Sequence, residues 1–186
     1  MTLLKASNMP FTQPNWEMMR ALSGAALFFA NVLMDAGIAD AIVEQALAIN
    51  PNLASAWVQR GWISMFLGRH EPALEQFQCA MRLNPLDEIH RMEAGLAAAN
   101  FFLRRFEIAL SWATKSIARR KDYAIALRFA LVSYAMLGRI ADAQVMQARL
   151  REAGLTLAQI KKYMPYQRQE DVGLYLEAFR IAGMPE

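Results

Sequence analysis

Residues 54–87 read ASAWVQRGWISMFLGRHEPALEQFQCAMRLNPLD, and this stretch decides the fold. Its Ala80, Asn84 and Pro85 repeat Ala46, Asn50 and Pro51 at a spacing of 34 residues. A period of that length marks stacked helical hairpins, because one helix pair cannot bury its own apolar face and needs a neighbouring copy to cover it. Within the unit each marked position has a mechanical reason. Gly61 and Ala73 are small where two antiparallel helices approach closely, and Trp57 and Phe77 fill the space beside them. Gly68 ends the first helix, and Pro85 stops the second after Asn84.

Projected backward by 34, the pattern puts Ala39, Val43, Ala46 and Pro51 in the second helix of an earlier hairpin whose first helix covers residues 20–35. That unit is degenerate, with Ser23 at the Trp57 position and Leu27 at the Gly61 position, as terminal repeats often are. Forward, Leu103-Arg104-Arg105 matches Leu67-Gly68-Arg69, and Ala109-Leu110 matches Ala73-Leu74, at an offset of 36. The two extra residues fall in the loop near 87–89, and Lys121 stands where the closing Pro would be. Leu137-Gly138-Arg139 and Ala143 restore the spacing of 34, and Gly154 closes the fourth unit as a C-terminal cap. Beyond it, Thr156 caps a short helix through Tyr163, Pro165 breaks that helix, and Gln169-Glu170-Asp171 opens an amphipathic one. This segment caps the last repeat, either along its edge or in its groove.

The expected architecture is therefore all-α: a right-handed α-α superhelix of about four helical hairpins plus a C-terminal capping helix. Its parts are an N-terminal extension at 1–19, hairpins at about 20–53, 54–87, 88–123 and 124–155, and capping helices at 156–186. With 186 residues, 55% of them hydrophobic, the chain can bury the core of one such short solenoid.

Trp57, Gly61, Gly68, Ala73, Phe77, Ala80 and Pro85 give the stretch its resemblance to tetratricopeptide-repeat proteins. From about residue 50 onward the chain is also similar to something narrower, the C-terminal repeat region of class III adenylate/guanylate cyclases of rhizobia and related α-proteobacteria, a region also seen behind winged-helix regulators. The matching pieces include residues 46–52 (ALAINPN), 81–87 (MRLNPLD) and the ending 175–186 (YLEAFRIAGMPE), of which the ending is the most specific. The resemblance implies a sensory or protein-interaction module. We expect no cyclase activity from this stretch, since nothing upstream of Arg20 in it has room for the catalytic domain; it reads either as a separate small protein or as a C-terminal fragment of a longer signalling protein.

The residues themselves offer little chemistry. No Gly-rich phosphate loop occurs, and His70 and His90, the only histidines, lie outside any metal-ligand spacing. Cys79 is the single cysteine, so no internal disulfide or cysteine cluster forms; together with twelve Met it suggests a reducing, cytoplasmic setting. Asp87-Glu88 and Glu170-Asp171 stand at helix starts, where they complement the macrodipole. The most apolar run, residues 21–34, falls short of the roughly 18 residues of a membrane span, and the N-terminus lacks the features of a signal peptide. We expect no enzyme activity, no cofactor and no metal.

Charge is uneven. Residues 101–168 carry 13 Lys/Arg against 4 Asp/Glu, between two mildly acidic segments. Arg104-Arg105 and Arg119-Arg120-Lys121 lack interleaved aromatics and any nucleic-acid-binding signature, so solvated helix faces explain them better than nucleic-acid binding does.

The expected binding surface is the concave face, which the first helix of each hairpin lines in tetratricopeptide stacks. The repeat register puts Phe28, then Trp62, Met65 and Phe66, then Arg91, Phe101 and Phe102, then Arg128 along it. Such a groove takes the apolar face of a helix or an extended peptide from a protein partner, with Arg91 or Arg128 pairing an acidic side chain. A second copy of the chain is another partner that this stripe fits. For Phe66 and Phe101 a core position beneath neighbouring hairpins or the 169–182 helix is equally open, whereas Trp62 and Phe102 are read as groove. Gly24 and Phe28 occupy the positions of the Lys/Asn carboxylate clamp found in chaperone-binding relatives, which disfavours chaperone C-termini as ligands.

Overall fold

Five helices of this chain end in the same hydrogen-bonded turn, and that turn sets the repeat. The computed structural model describes residues 36–86 and 88–184. Among them are nine helices and no strand: α1 (Ala36–Ile49), α2 (Ala54–Phe66), α3 (His70–Leu83), α4 (Ile89–Phe102), α5 (Phe106–Arg119), α6 (Ala124–Met136), α7 (Ile140–Glu152), α8 (Leu157–Lys162) and α9 (Gln169–Ile181). The expected first helix at 20–35, with Phe28, lies outside the described residues, as does the 21–34 run.

After α2 the Gly68 N–H reaches Met65 O at 3.1 Å and the Arg69 N–H reaches Ser64 O at 2.8 Å, a Schellman cap that requires a left-handed residue between the helices. Gly68, Gly138, Gly154 and Gly183 supply it with φ near 75°. After α4 the same two bonds form, yet the left-handed residue is Arg104, at φ 59°. The two-residue insertion contains a second such position, Glu88 at φ 47°, which lets the chain turn into α4. At Lys121 the turn closes without proline, through Tyr123 N–H to Arg120 O at 3.2 Å.

Helices α2 with α3, α4 with α5 and α6 with α7 pair as hairpins, and each hairpin packs on the next. The first helices α2, α4 and α6 also touch one another, so they form the inner row of the solenoid. Outer helices bury one stripe: Ala73, Phe77 and Ala80 in α3, Ala109, Leu110, Ala113 and Ser116 in α5, Ala143, Gln147 and Leu150 in α7. The spacing of three and four is that of a helix covered on one side. Inner helices are covered nearly all round; in α4 every residue from Met92 to Phe102 is buried. Four alanines and a glycine in that run keep the helix thin enough for neighbours on both sides.

Phe77 shows how tight the stack is. A Cβ placed on Gly61 would come within 2.6 Å of its ring, and one on Gly95 within 2.4 Å, so the ring is clamped between α2 and α4 by two glycines. Trp57, expected to fill that space, is half-buried beside the preceding loop, where its indole N–H donates to Pro51 O at 2.8 Å. Trp62 takes the inner place, edge-on to Phe77 with ring centroids 5.3 Å apart.

Thr156 caps α8 in a capping box, its side chain bonded to the Gln159 N–H and the Gln159 side chain to the Thr156 N–H. The chain then crosses the inner row. Gln167 N–H donates to Phe66 O at 2.9 Å, Arg168 Nη1 donates to Gly68 O at 3.3 Å, and α9 packs on α6. Of the two positions open to the C-terminal segment, it takes the inner face.

Candidate functional site

Where the C-terminal strap crosses the inner row it leaves a cavity of about 290 Å³. Its floor comes from Trp62 and Phe66 of α2, Arg91 of α4, and Ile125 and Arg128 of α6, with Tyr123 just before α6. Its roof comes from the strap: Ile160 of α8, the connecting residues Tyr163, Met164, Pro165 and Tyr166, and Tyr175 of α9. The site thus exists because three repeat helices bring one residue or two each to the same height, and a non-repeating segment folds back over them.

Four of the residues picked from the repeat register, Trp62, Phe66, Arg91 and Arg128, meet at this cavity. Met65 and Phe101 are wholly buried in the core. Phe102 is 7% exposed, stacked on His70 at 5.1 Å and covered by Tyr166 at 4.7 Å, so it supports the roof from beneath. Phe28 lies outside the described residues. The register did not point to Tyr123, Tyr163, Tyr166 or Tyr175; the last three lie in the strap, where no repeat applies.

Among the described residues the lining is lopsided in charge: two guanidinium groups and no carboxylate. Arg91 is answered from outside, by Glu88 one turn back. Arg128 forms no ion pair among the described residues, and its Nε is buried without a hydrogen-bond partner. The Tyr175 hydroxyl is also buried and unpartnered, in a residue 1% exposed. Burial pushes the Tyr166 hydroxyl well above its ordinary pKa and raises Tyr175 too, with Arg128 opposing both shifts through its charge. Tyr123 is likewise raised by burial, against the nearby Arg91. All three are therefore neutral hydroxyls at physiological pH, able to donate.

The strap is held from the other side by a pair that no local pattern announces. His70, first residue of α3, meets Asp171 in the first turn of α9, Nε2 to Oδ2 at 3.0 Å, with both side chains about 95% buried. The expectation that Glu170-Asp171 serves only the helix dipole is corrected for Asp171, which points inward; Glu170 stays exposed and bonds Arg168 at 2.6 Å. The partners are 101 residues apart in sequence, which hides them from any spacing rule.

Much of the basic segment is engaged within the chain. Arg119 Nε donates to both carboxylate oxygens of the buried Glu93 at 3.0 and 3.1 Å, Arg105 bonds Glu71 at 2.7 Å, and Arg139 bonds Asp142 at 2.9 Å. Among the described residues no group of three His, Cys, Asp or Glu is placed to hold a metal, and no helix is long and apolar enough to cross a membrane.

Solved structures of tetratricopeptide-repeat proteins share this fold. YrrB, described as a TPR protein with an unusual peptide-binding site, is 18% identical, with 90% of this chain and 88% of that one covered and a TM-score of 0.56. PilF of Pseudomonas aeruginosa is 16% identical over 88% of this chain and 76% of its own, with a TM-score of 0.64. A tetratricopeptide repeat protein from Parabacteroides merdae is 17% identical over 89% and 71%, with a TM-score of 0.61. No family model matches the sequence. No curated protein matches it at a significant level.

Proposed function

We propose that the chain is a non-catalytic interaction module that holds a peptide or helix of a protein partner against its concave face. One observation carries the reading: inner-row aromatics and two arginines gather at a single cavity, where the Arg128 charge meets no carboxylate among the described residues. An apolar trough with a fixed cation suits an amphipathic segment that bears an acidic residue. The chain's own strap supports this, since residues 163–168 lie on the inner row and use main-chain hydrogen bonding to Phe66 O and side-chain bonding to Gly68 O, as a bound segment would. The peptide-binding site named for YrrB lends the same support by analogy of fold. A single, half-buried Cys79 agrees with a cytoplasmic setting.

The test begins with a photo-crosslinking amino acid at Tyr163, which is 65% exposed at the cavity rim. A crosslinked partner segment, made as a peptide, should bind the wild type and lose at least tenfold in affinity to the Arg91→Glu, Arg128→Glu chain. Equal binding to both refutes the groove assignment.

A second reading, the regulatory or dimerisation region of a cyclase-type or winged-helix signalling protein, draws on the ending 175–186. In the structure its Tyr175 and Phe179 are among the most buried side chains, so the segment that carries the resemblance is also the one that closes the inner face. Sedimentation equilibrium checks its dimerisation part. A monomer up to high micromolar concentration overturns that part.

A further inference from the structure

We infer that the roofed cavity is a binding site for a small aromatic carboxylic acid, held by Arg128 and sandwiched by the aromatic walls. The inference goes beyond partner binding and stands without it, because a purified chain with no protein partner can hold this ligand.

The charged groups in the lining, Arg91 and Arg128, are donors. Arg128, part-buried in the lining, forms no ion pair among the described residues, and a guanidinium has no acceptor atom. A neutral ligand or a row of waters can satisfy these donors, but only an anion also answers the charge. Among the described residues the lining supplies no carboxylate to pair the Arg128 charge, and an anion seated there gains charge-assisted hydrogen bonds that a neutral ligand lacks. A cation is excluded by the same two arginines.

The shape of the rest selects the body of the ligand. Trp62, Phe66, Tyr123 and Tyr166 present flat apolar surface around the donors. Planar groups gain from edge-to-face and stacked contacts with such walls beyond their area burial. At about 290 Å³ the cavity holds on the order of ten waters, taking roughly 30 Å³ for each, which matches an acid of about ten to thirteen non-hydrogen atoms. Phenylacetate and indole-3-acetate have that size, a flat ring and a carboxylate set away from it. An acid seated on Arg128 would compete with a partner's acidic anchor for the same guanidinium, so its presence would weaken the interaction proposed above.

The experiment uses the purified full chain and two matched pairs of probes, phenylacetate with phenylacetamide and indole-3-acetate with indole-3-acetamide, read by isothermal titration calorimetry and quenching of tryptophan fluorescence. At least one acid should bind ten times or more tighter than its amide, and the Arg128→Met chain should lose that preference while keeping its fold by circular dichroism. Inorganic phosphate and an N-acetylated dipeptide ending in Phe are the comparison arms; the dipeptide binding more tightly than both free acids would make the ligand a chain terminus and overturn the assignment. Acid and amide binding alike, no binding of either acid at millimolar concentration, or an acid preference that survives Arg128→Met would each overturn it as well. Should the acids fail while a crosslinked partner still binds through Arg91 and Arg128, the small-ligand site falls and the interaction reading stands.

Discussion

Replacing Gly95 by alanine should destabilise this protein, although alanine is the better helix former by about 1 kcal/mol. Gly95 lies in the interior of α4, where that gain would apply in full. The new methyl, however, would sit 2.4 Å from the Phe77 Cζ and 2.5 Å from Cε1, about 1 Å inside ordinary contact. The ring has no retreat, because Gly61 presses on it from α2 at a spacing just as close, and Phe77 is fully buried. Overpacking of this kind costs about 1–3 kcal/mol, and a site closed on both sides belongs at the upper end. The net expectation is a loss of about 1–2 kcal/mol, or a fall in Tm of roughly 2–8 °C for a chain of this size.

The decisive measurement is a double-mutant cycle by urea unfolding, followed by far-UV circular dichroism. Phe77→Leu removes the clamped ring at a cost of about 1–2 kcal/mol. In that background Gly95→Ala should become neutral or stabilise by up to about 1 kcal/mol, giving a coupling of about 2 kcal/mol between the sites. If Gly95→Ala stabilises the wild type, or if its cost is the same with and without the ring, then α2 and α4 are not held apart by Phe77 and the packing account is wrong.

Other expectations follow from single features. Arg104→Gly should stabilise by about 0.5–1 kcal/mol, since the left-handed backbone at φ 59° costs a side-chain-bearing residue about 1–2 kcal/mol and glycine gives back part of the difference as entropy in the unfolded chain; a lower urea midpoint would contradict the Schellman turn there. Asp171→Ala should cost about 2–4 kcal/mol and speed amide exchange along α9 more than along α5, because it strips His70 of its buried partner and unpins the strap; uniform exchange changes would argue against a latch. Tyr123, Tyr166 and Tyr175 should ionise later than free tyrosine in an absorbance titration at alkaline pH. Their hydroxyls keep protons in the folded state that the unfolded chain gives up near pH 10.0, so stability should be undiminished below that value and fall as pH rises above it; ionisation of all tyrosines together near 10.0 in the folded protein would contradict their burial. His90 is shifted the other way, below 6.5, chiefly by burial and by Arg120. Its contribution should be present above pH 6.5 and decline as pH falls beneath it, as NMR titration of the imidazole would reveal.

The solenoid was legible in the sequence because its contacts are periodic. Ala73, Ala80, Ala109 and Ala143 recur where helices touch, and Gly68 and Gly138 recur where the chain must turn left-handed, so each position announces its neighbours. The turn after α4 breaks the residue pattern with Arg104 but keeps the hydrogen bonds, which is why an alignment of Leu103 with Leu67 still located it. Gly95 was harder to see, since its reason is a ring on another helix rather than a repeat position.

The cavity was legible only by half, and the division has a physical basis. A repeat register fixes which residues of α2, α4 and α6 look inward, and through it Trp62, Phe66, Arg91 and Arg128 can be named. It says nothing of what comes to lie over them. Inward-facing side chains become core where neighbours close on them, as at Met65 and Phe101, and become lining where a gap is left beneath the strap. That gap depends on Tyr163 to Tyr175, which belong to no repeat, and on a His70–Asp171 bond spanning 101 residues. The proposed site therefore lies in the contact between the periodic part of the chain and its aperiodic tail: the repeats supply the two arginines of the lining, and the tail supplies the aromatic roof over them.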